Sequence, residues 1–453
     1  MAQLRRCNGP SKSSGKFSVK ESIVNRSKNV PNTSFSWVTL LAFWAAAGCA
    51  GGGSGTGSTA VARDSAGVTI VENSGEAWSA ESAWRLDEVP TVDIGGSEED
   101  PLYDLGLVGG AARLSDRRIV IANGATQEVR FYDVDGTHLM SKGRNGSGPG
   151  EYQSLAGLFR PVGDSSLVYD AINRRLTLLD PDGEVVRSFY LGGETGLQMP
   201  SEGRVALALP TGRFGDGSIL GMVLAIQLDS ERTGAFRDSV EFLLYDANGA
   251  ARDTISRLPG IEMEMMTLNL GNQTFPQPTG VPLGKNTVTT AGGQWFYACS
   301  NDSYEIDVRN TEGTLVRRIR VGGAPVSITD ADKTAHRKEQ LEALADLPQM
   351  AAVPEPLKEQ FRARIDKATY PQTFPFVESM QVDEAGNLWV QEVQRPGTTT
   401  HQYAVFDSTG VLLGRVKMPM DFRPTFIGLE EIVGIWEDED DLQHVQAHAL
   451  IKP

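Results

Sequence analysis

A chain of 453 residues with a formal net charge of −16 and 40% hydrophobic residues has room for one large closed fold or for two or three ordinary domains. Met1 to Gly48 carries seven Lys or Arg against a single acid, Glu21, so the remaining chain holds a net −22. A body that acidic repels phosphate before any contact forms, which sets nucleic acid aside as a partner.

Residues 1 to 34 are basic and polar, and an apolar stretch of 14 residues, Phe35 to Gly48, follows them. That is short of the roughly 20 residues a comfortable bilayer crossing needs and suits the hydrophobic region of an export signal. Ala46-Ala47-Gly48-Cys49 resembles the bacterial lipoprotein signal, in which the cysteine thiol receives lipid and cleavage occurs before it. Ala46 stands where Leu is usual, and the basic leader is long enough that translation could start after Met1. Residues 1–48 therefore read as an export leader and Cys49 as the lipidation site. An uncleaved membrane helix and an ordinary secreted protein are the alternatives. All three put the body outside the cytoplasm, because positive charge stays inside. Residues 49–66 read as anchor and tether, since Gly51 to Thr59 offers no side chains with which to pack and spans roughly 15 to 18 Å.

From Gly67 onward the text is β-rich. Phe131-Tyr132-Asp133-Val134-Asp135-Gly136 sets an apolar pair before an acid, two free positions and a glycine. The figure returns at Leu178 to Gly183, Leu244 to Gly249, Val308 to Gly313 and Val405 to Gly410, each with Asp or Asn three places before Gly. An Asp or Asn side chain can accept from the backbone two residues on, and Gly takes the positive φ that closes a tight hairpin. A second β-rich run precedes each hairpin: Arg118 to Asn123, Ser166 to Asp170, Ser218 to Ile226, Gln294 to Ser300 and Asn387 to Glu392. The unit is therefore about four strands, with turn glycines spaced 47, 66, 64 and 97 residues apart. Four-stranded units at such spacing, each too small to bury its own face, predict propeller blades stacked around an axis. A β-sandwich is the competing arrangement.

Val92 to Gly96 echoes the ends of complete units yet lacks three preceding strands, while Thr425 to Ile451 supplies three strands without a fourth. Joined, they make one shared blade and leave no open edge. The expectation is an all-β, six-bladed β-propeller over 67–453, with a helical insertion near 329–368. There Thr329 and Asp332 read as a helix start, Leu341, Leu344 and Leu347 give an apolar stripe before Pro348, and Leu357, Phe361 and Ile365 mark a second helix from Pro356.

Together with the hairpins, Gly143-Arg144-Asn145-Gly146-Ser147-Gly148-Pro149-Gly150-Glu151-Tyr152 resembles the six-bladed β-propeller lipoproteins of bacteria, a group similar to NHL-repeat propellers. The resemblance implies a propeller fold and a cell-envelope location, foremost the outer membrane, and carries over no catalytic residue. The same segment is the candidate ligand face, through Arg144, Asn145, Glu151 and Tyr152. Its glycines lead into β text and not into a helix, so no dinucleotide cradle is expected. Gly280 to Asn286 is one residue short of a P-loop and has Asn where Ser or Thr should hold Mg²⁺.

Glu437 to Asp441 reads as a solvated acidic turn, His444 and His448 as solvent-facing strand residues, and Cys299 as a buried inert thiol. Neither of the two commonest hydrolase signatures, HExxH and GxSxG, occurs. The reading is a membrane-anchored, non-catalytic binding or scaffold module for an envelope protein, peptide or glycan, with no cofactor. The alternative is a lactonase, esterase or lyase with a divalent metal in the central channel, although Asp116, Asp164, Asp216 and Asn387 sit where ordinary turn formers belong.

Overall fold

The computed structural model describes residues 60–453 apart from 98, 194–196, 199–205, 226–231, 271–272, 347–349 and 351–352. The leader, Cys49 and Gly51 to Thr59 lie outside the described residues.

The chain forms a six-bladed β-propeller of four-stranded antiparallel blades, with added strands on two of them. Blade 1 comprises Val108–Arg113, Ile119–Asn123, Glu128–Tyr132 and His138–Lys142, and blade 2 Leu155–Val162, Ser165–Asp170, Arg175–Leu179 and Val185–Phe189. Blade 3 comprises Ala206–Arg213, Ile219–Ala225, Ser239–Tyr245 and Ala251–Pro259, with Leu197–Gln198 paired to its inner strand. Blade 4 comprises Val288–Gly292, Trp295–Cys299, Glu305–Arg309 and Leu315–Val321, and blade 5 Val377–Val382, Leu388–Glu392, Thr400–Phe406 and Leu412–Pro419. In blade 6 the C-terminal strands Phe422–Ile427, Glu431–Glu437 and Gln443–Ile451 take Arg85–Gly95 as their outer strand, with Val445 opposite Ile94 and Ile451 opposite Arg85.

Apolar clusters fill the interfaces between blades, one of them spanning blades 6, 1 and 2. Val168 and Leu179 of blade 2 share one with Val129 of blade 1 and Val445 of blade 6, and Leu178 meets Tyr245 across blades 2 and 3. Phe242 meets Phe296 across blades 3 and 4, Ile319 meets Phe406 across blades 4 and 5, and Trp389 meets Phe422 across blades 5 and 6. Each such side chain contributes about 1.5–3 kcal/mol by leaving water. That apolar burial makes a single blade unstable alone and the ring stable. Cys299 belongs to this core: it is fully buried, and burial pushes its thiol up to about 11.

The repeated turns form as expected. Asp133 Oδ1 accepts from the amides of Asp135 and Thr137 at 3.2 and 2.8 Å, and Asp180, Asp246 and Asp407 do the same at their own turns. Asn310 accepts from Thr314 at 2.8 Å. Gly136, Gly183, Gly249, Gly313 and Gly410 all have φ between 75° and 91°. The acidic run holds a sixth copy of the turn. Asp438 Oδ1 accepts from Asp440 and Leu442, both at 2.9 Å, and Asp441 occupies the glycine position with φ 60°.

Three segments add to the ring. First, Ala60–Ser65 and Val68–Asn73 form a hairpin whose second strand pairs in parallel with Leu315–Val321, so blade 4 has six strands. Ala60–Ser65, inside the stretch expected to be tether, is thus a strand. The cause is the β-branched text Val68-Thr69-Ile70-Val71, whose Ile70 and Val71 are buried as it extends a sheet edge. The segment then continues as a belt. Asn73 is stapled to blades 4 and 5, Trp78 donates to the Leu413 carbonyl of blade 5 at 2.7 Å, and Trp84 leads into blade 6.

Second, Met263–Leu270 and Gln273–Gly280 make a hairpin between blades 3 and 4 that sequence reading missed. Its Glu264, Asn269 and Gly280 carry little strand propensity, and Pro276 and Pro278 conceal it. Third, helices α1 (Asp330–Asp346) and α2 (Glu355–Asp366) form the expected insertion between blades 4 and 5. Thr329 and Asp332 cap α1 reciprocally, at 2.8 and 3.3 Å. The hydrogen bonds from Thr329, and then Arg395 of blade 5 at 2.5 Å, hold Asp332 down at about 2. Gln360 of α2 both donates to and accepts from the Asn269 backbone, which ties the helices to the inserted hairpin.

Candidate functional site

Every blade runs up and down, so the turns joining first to second strands collect around one mouth of the axis. Three arginines stand there at the ends of inner strands: Arg113 in blade 1, Arg160 in blade 2 and Arg213 in blade 3.

Arg113 has its acid. Its Nε and Nη2 meet the two carboxylate oxygens of Glu431 at 2.8 Å each, and Nη1 donates to the Arg117 carbonyl. Arg160 reaches across the axis to the opposite blade, where Nη1 donates to the carbonyls of Val382 and Asp383 at 3.3 and 3.0 Å. Arg213 donates to the Ser165 carbonyl at 2.8 Å, and its buried Nε has no acceptor. Burial, and then repulsion by Arg187, lowers Arg213 to about 10. Among the described residues these two guanidiniums bond carbonyl oxygens and form no ion pair, in a chain whose net charge is −16.

Arg160 and Arg213 share a depression of about 270 Å³ with Gly215, Gly293, Asp383 and Glu384. A side chain at Gly293 or Gly386 would project into open space, so backbone walls part of this site. Glu384 also borders a second depression of about 480 Å³, which runs outward past Arg113, Arg117 and Glu430 to Thr91 and Ala449. The result is a groove from the axis toward the rim, whose inner end holds the Arg160 and Arg213 guanidiniums beside the Asp383 and Glu384 carboxylates. A guanidinium fork suits a carboxylate or phosphate.

Among the described residues, no three His, Cys, Asp or Glu side chains are grouped to hold a metal. Asp116 accepts from the Arg118 amide and Nε, Asp216 from Ser218, and Asn387 donates to Asp383. Asp164 reaches back to blade 1 and takes both the amide and hydroxyl of Ser115, at 2.9 and 2.5 Å. All four are turn formers.

The segment singled out from sequence lies elsewhere, in the connection between blades 1 and 2. Arg144 and Glu151 pair with each other at 2.6 Å, and Glu151 also accepts from the Gly148 amide at 2.8 Å. Tyr152 is 1% exposed, and burial raises its hydroxyl to about 12. Asn145 forms a parallel bridge with Tyr152, while Arg175 donates to the carbonyls of Ser147, Gly148 and Glu151 from beneath. The histidines differ from expectation too. His448 is buried, between the Asp87 carbonyl and Gln446, and His444 sits between Asp93 and Asp438 beside Trp436. The outer strand from the N-terminus covers both.

Sequence reading missed the axial arginines, although a signal for them exists. Arg113 and Arg213 each stand three residues before the turn aspartates Asp116 and Asp216, and Arg160 stands four before Asp164.

No family model and no curated protein sequence matches the chain. Solved structures do resemble it. A candidate exported protein of Bacteroides fragilis is 12% identical, with 84% of this chain and 100% of that one covered at a TM-score of 0.40. A member of the duf4221 family from Bacteroides vulgatus is 9% identical, covering 82% and 99% at 0.43. The virginiamycin B lyase of Staphylococcus aureus, in a catalytically inactive form with quinupristin, is 10% identical, covering 82% and 100% at 0.34. At such identities these likenesses transfer neither activity nor site residues.

Proposed function

We propose that the chain is a cell-envelope lipoprotein whose propeller acts as a non-catalytic binding module, taking an anionic group of a protein, peptide or glycan at the axial mouth. One observation carries this reading: Arg160 and Arg213 come from adjacent blades, line one depression and, among the described residues, bond carbonyls and form no ion pair with the Asp383 and Glu384 carboxylates beside them. A bound carboxylate or phosphate would satisfy donors that otherwise meet only carbonyl oxygens. Rigid sheets would hold it, and the longer groove past Arg117 and Glu430 would receive the rest of the ligand.

Isothermal titration of the full chain with glucuronate and with inorganic phosphate tests this. At low salt at least one anion should bind, and Arg160→Gln and Arg213→Gln should each weaken it about tenfold or more, the worth of one charge-assisted hydrogen bond. Unchanged affinity in both variants would remove the axial mouth as the site.

Anchoring through Cys49 rests on the leader text. Among the described residues no helix is long and apolar enough to cross a membrane. In cell fractionation, Cys49→Ala should move the protein from the membrane fraction to the soluble one. Retention in the membrane would refute lipidation at that residue.

A further inference from the structure

We infer that the flank of blade 3 holds a second ligand site, for a neutral aromatic of one or two rings that carries a hydrogen-bond donor. The site is a cavity of about 300 Å³ between the outer part of blade 3 and the base of the inserted hairpin. It shares no lining residue with the axial mouth.

Its walls are mainly apolar, with Met222, Phe236, Val240, Phe242, Ile261 and Met263 outnumbering the polar Asp238, Ser239, Asn286 and Thr287. The frame around them is fixed by hydrogen bonds. Phe236 and Met263 exchange amide and carbonyl at 2.8 Å in both directions, and the Gly260 amide donates to the Asp238 carbonyl at 2.6 Å. Arg237 ties this frame to the turn at Ser300 and Asp302, donating to the carbonyls of Gly260 and Ser300 at 2.8 and 2.9 Å and pairing with Asp302 at 3.3 Å. A space held open by so many backbone contacts does not close by side-chain rearrangement alone.

Size and chemistry select the occupant. An apolar cavity of about 150 Å³ stays dry and takes a benzene ring, so about twice that volume admits one or two rings. Ring edges from Phe236 and Phe242, with the thioethers of Met222 and Met263, favour an aromatic guest over an aliphatic one of equal size.

The polar groups are few. Thr287 already donates its hydroxyl to the Pro259 carbonyl at 2.5 Å. Asp238 accepts from Arg232 at 2.8 Å, and that guanidinium lies over the Phe236 ring, 3.5 Å from its centroid. Neutralised in this way, Asp238 keeps acceptor capacity for a donor on the guest, and neither a free cation nor a free anion is called for.

Fluorine NMR of a fluoroindole with the full chain in nanodiscs tests the inference. The wild-type protein should shift and broaden the probe signal saturably beyond empty nanodiscs. Val240→Phe and Met222→Phe, which place bulk in the cavity from two walls, should each weaken binding about tenfold or more. Asp238→Ala should weaken it about tenfold, whereas Arg160→Gln and Arg213→Gln should leave it unchanged. A missing saturable shift, or equal binding in both filled variants, overturns the site. Equal binding of a fluorocyclohexanol overturns the aromatic preference.

Discussion

Gly249→Ala is expected to destabilise the propeller by about 3 kcal/mol in chemical unfolding, far more than its one added methyl suggests. Two terms combine. At φ 84° a side chain costs about 1–2 kcal/mol. The new Cβ would also strike the Tyr190 carbonyl and the Phe189 ring of blade 2, and overpacking costs about 1–3 kcal/mol. The comparison that separates them is Gly163→Ala, where φ is 57° and nothing lies within 4 Å of the new atom. That variant should lose the conformational term only. Equal losses in the two would mean that contact with the neighbouring blade contributes nothing. The turn glycines therefore serve two purposes. Gly183, Gly313 and Gly410 face the preceding blade in the same manner.

Asn73→Ala is expected to cost about 3 kcal/mol as well, although it removes no apolar contact. Asn73 is 3% exposed and stands where the belt passes from blade 4 to blade 5. Its amide group donates to the carbonyls of Gly410 and Arg320 at 3.0 and 3.2 Å, and its oxygen accepts from the Leu412 amide at 2.8 Å. Alanine would strand a buried amide and its neighbouring carbonyls, and each such group costs about 1–3 kcal/mol. Hydrogen exchange should show where the loss falls. Faster exchange confined to residues 60–78 and the start of the outer strand of blade 5 is the expected pattern. Equal protection in wild type and variant would show that the staple is dispensable.

The periodic part of the fold was open to reading from residues alone. Asp-x-x-Gly turns, alternating strands and the complementary ends at Val92 to Gly96 and Thr425 to Ile451 are local patterns, and the ring follows from them. What escaped detection was non-periodic or depended on distant partners. The sixth turn was hidden because Asp441 takes the glycine conformation inside a run of acids, where charge draws attention from spacing. The hairpin at 263–280 was hidden by its prolines, and the N-terminal hairpin by its resemblance to a continuing tether.

The axial site shows the same limit more sharply. Arg160 and Arg213 stand 53 positions apart in the sequence and come together only through blade geometry. Conversely, the glycine-rich run from Gly143 to Tyr152 looked like a surface motif because its text is unusual. Much of that text accommodates Arg175, whose guanidinium meets three carbonyls of the run.

The N-terminal hairpin also determines how the molecule responds to tension. Ala60 lies opposite Asn73, so force arriving from the preceding chain reaches this hairpin at its open end. Loaded there, the six residues Ala60–Ser65 peel away one rung at a time and release roughly 20 Å of slack. The strand behind them, Val68–Asn73, runs parallel to its partner in blade 4 and is loaded along its whole length. A pull from the preceding chain would thus extend the hairpin before it reached the ring.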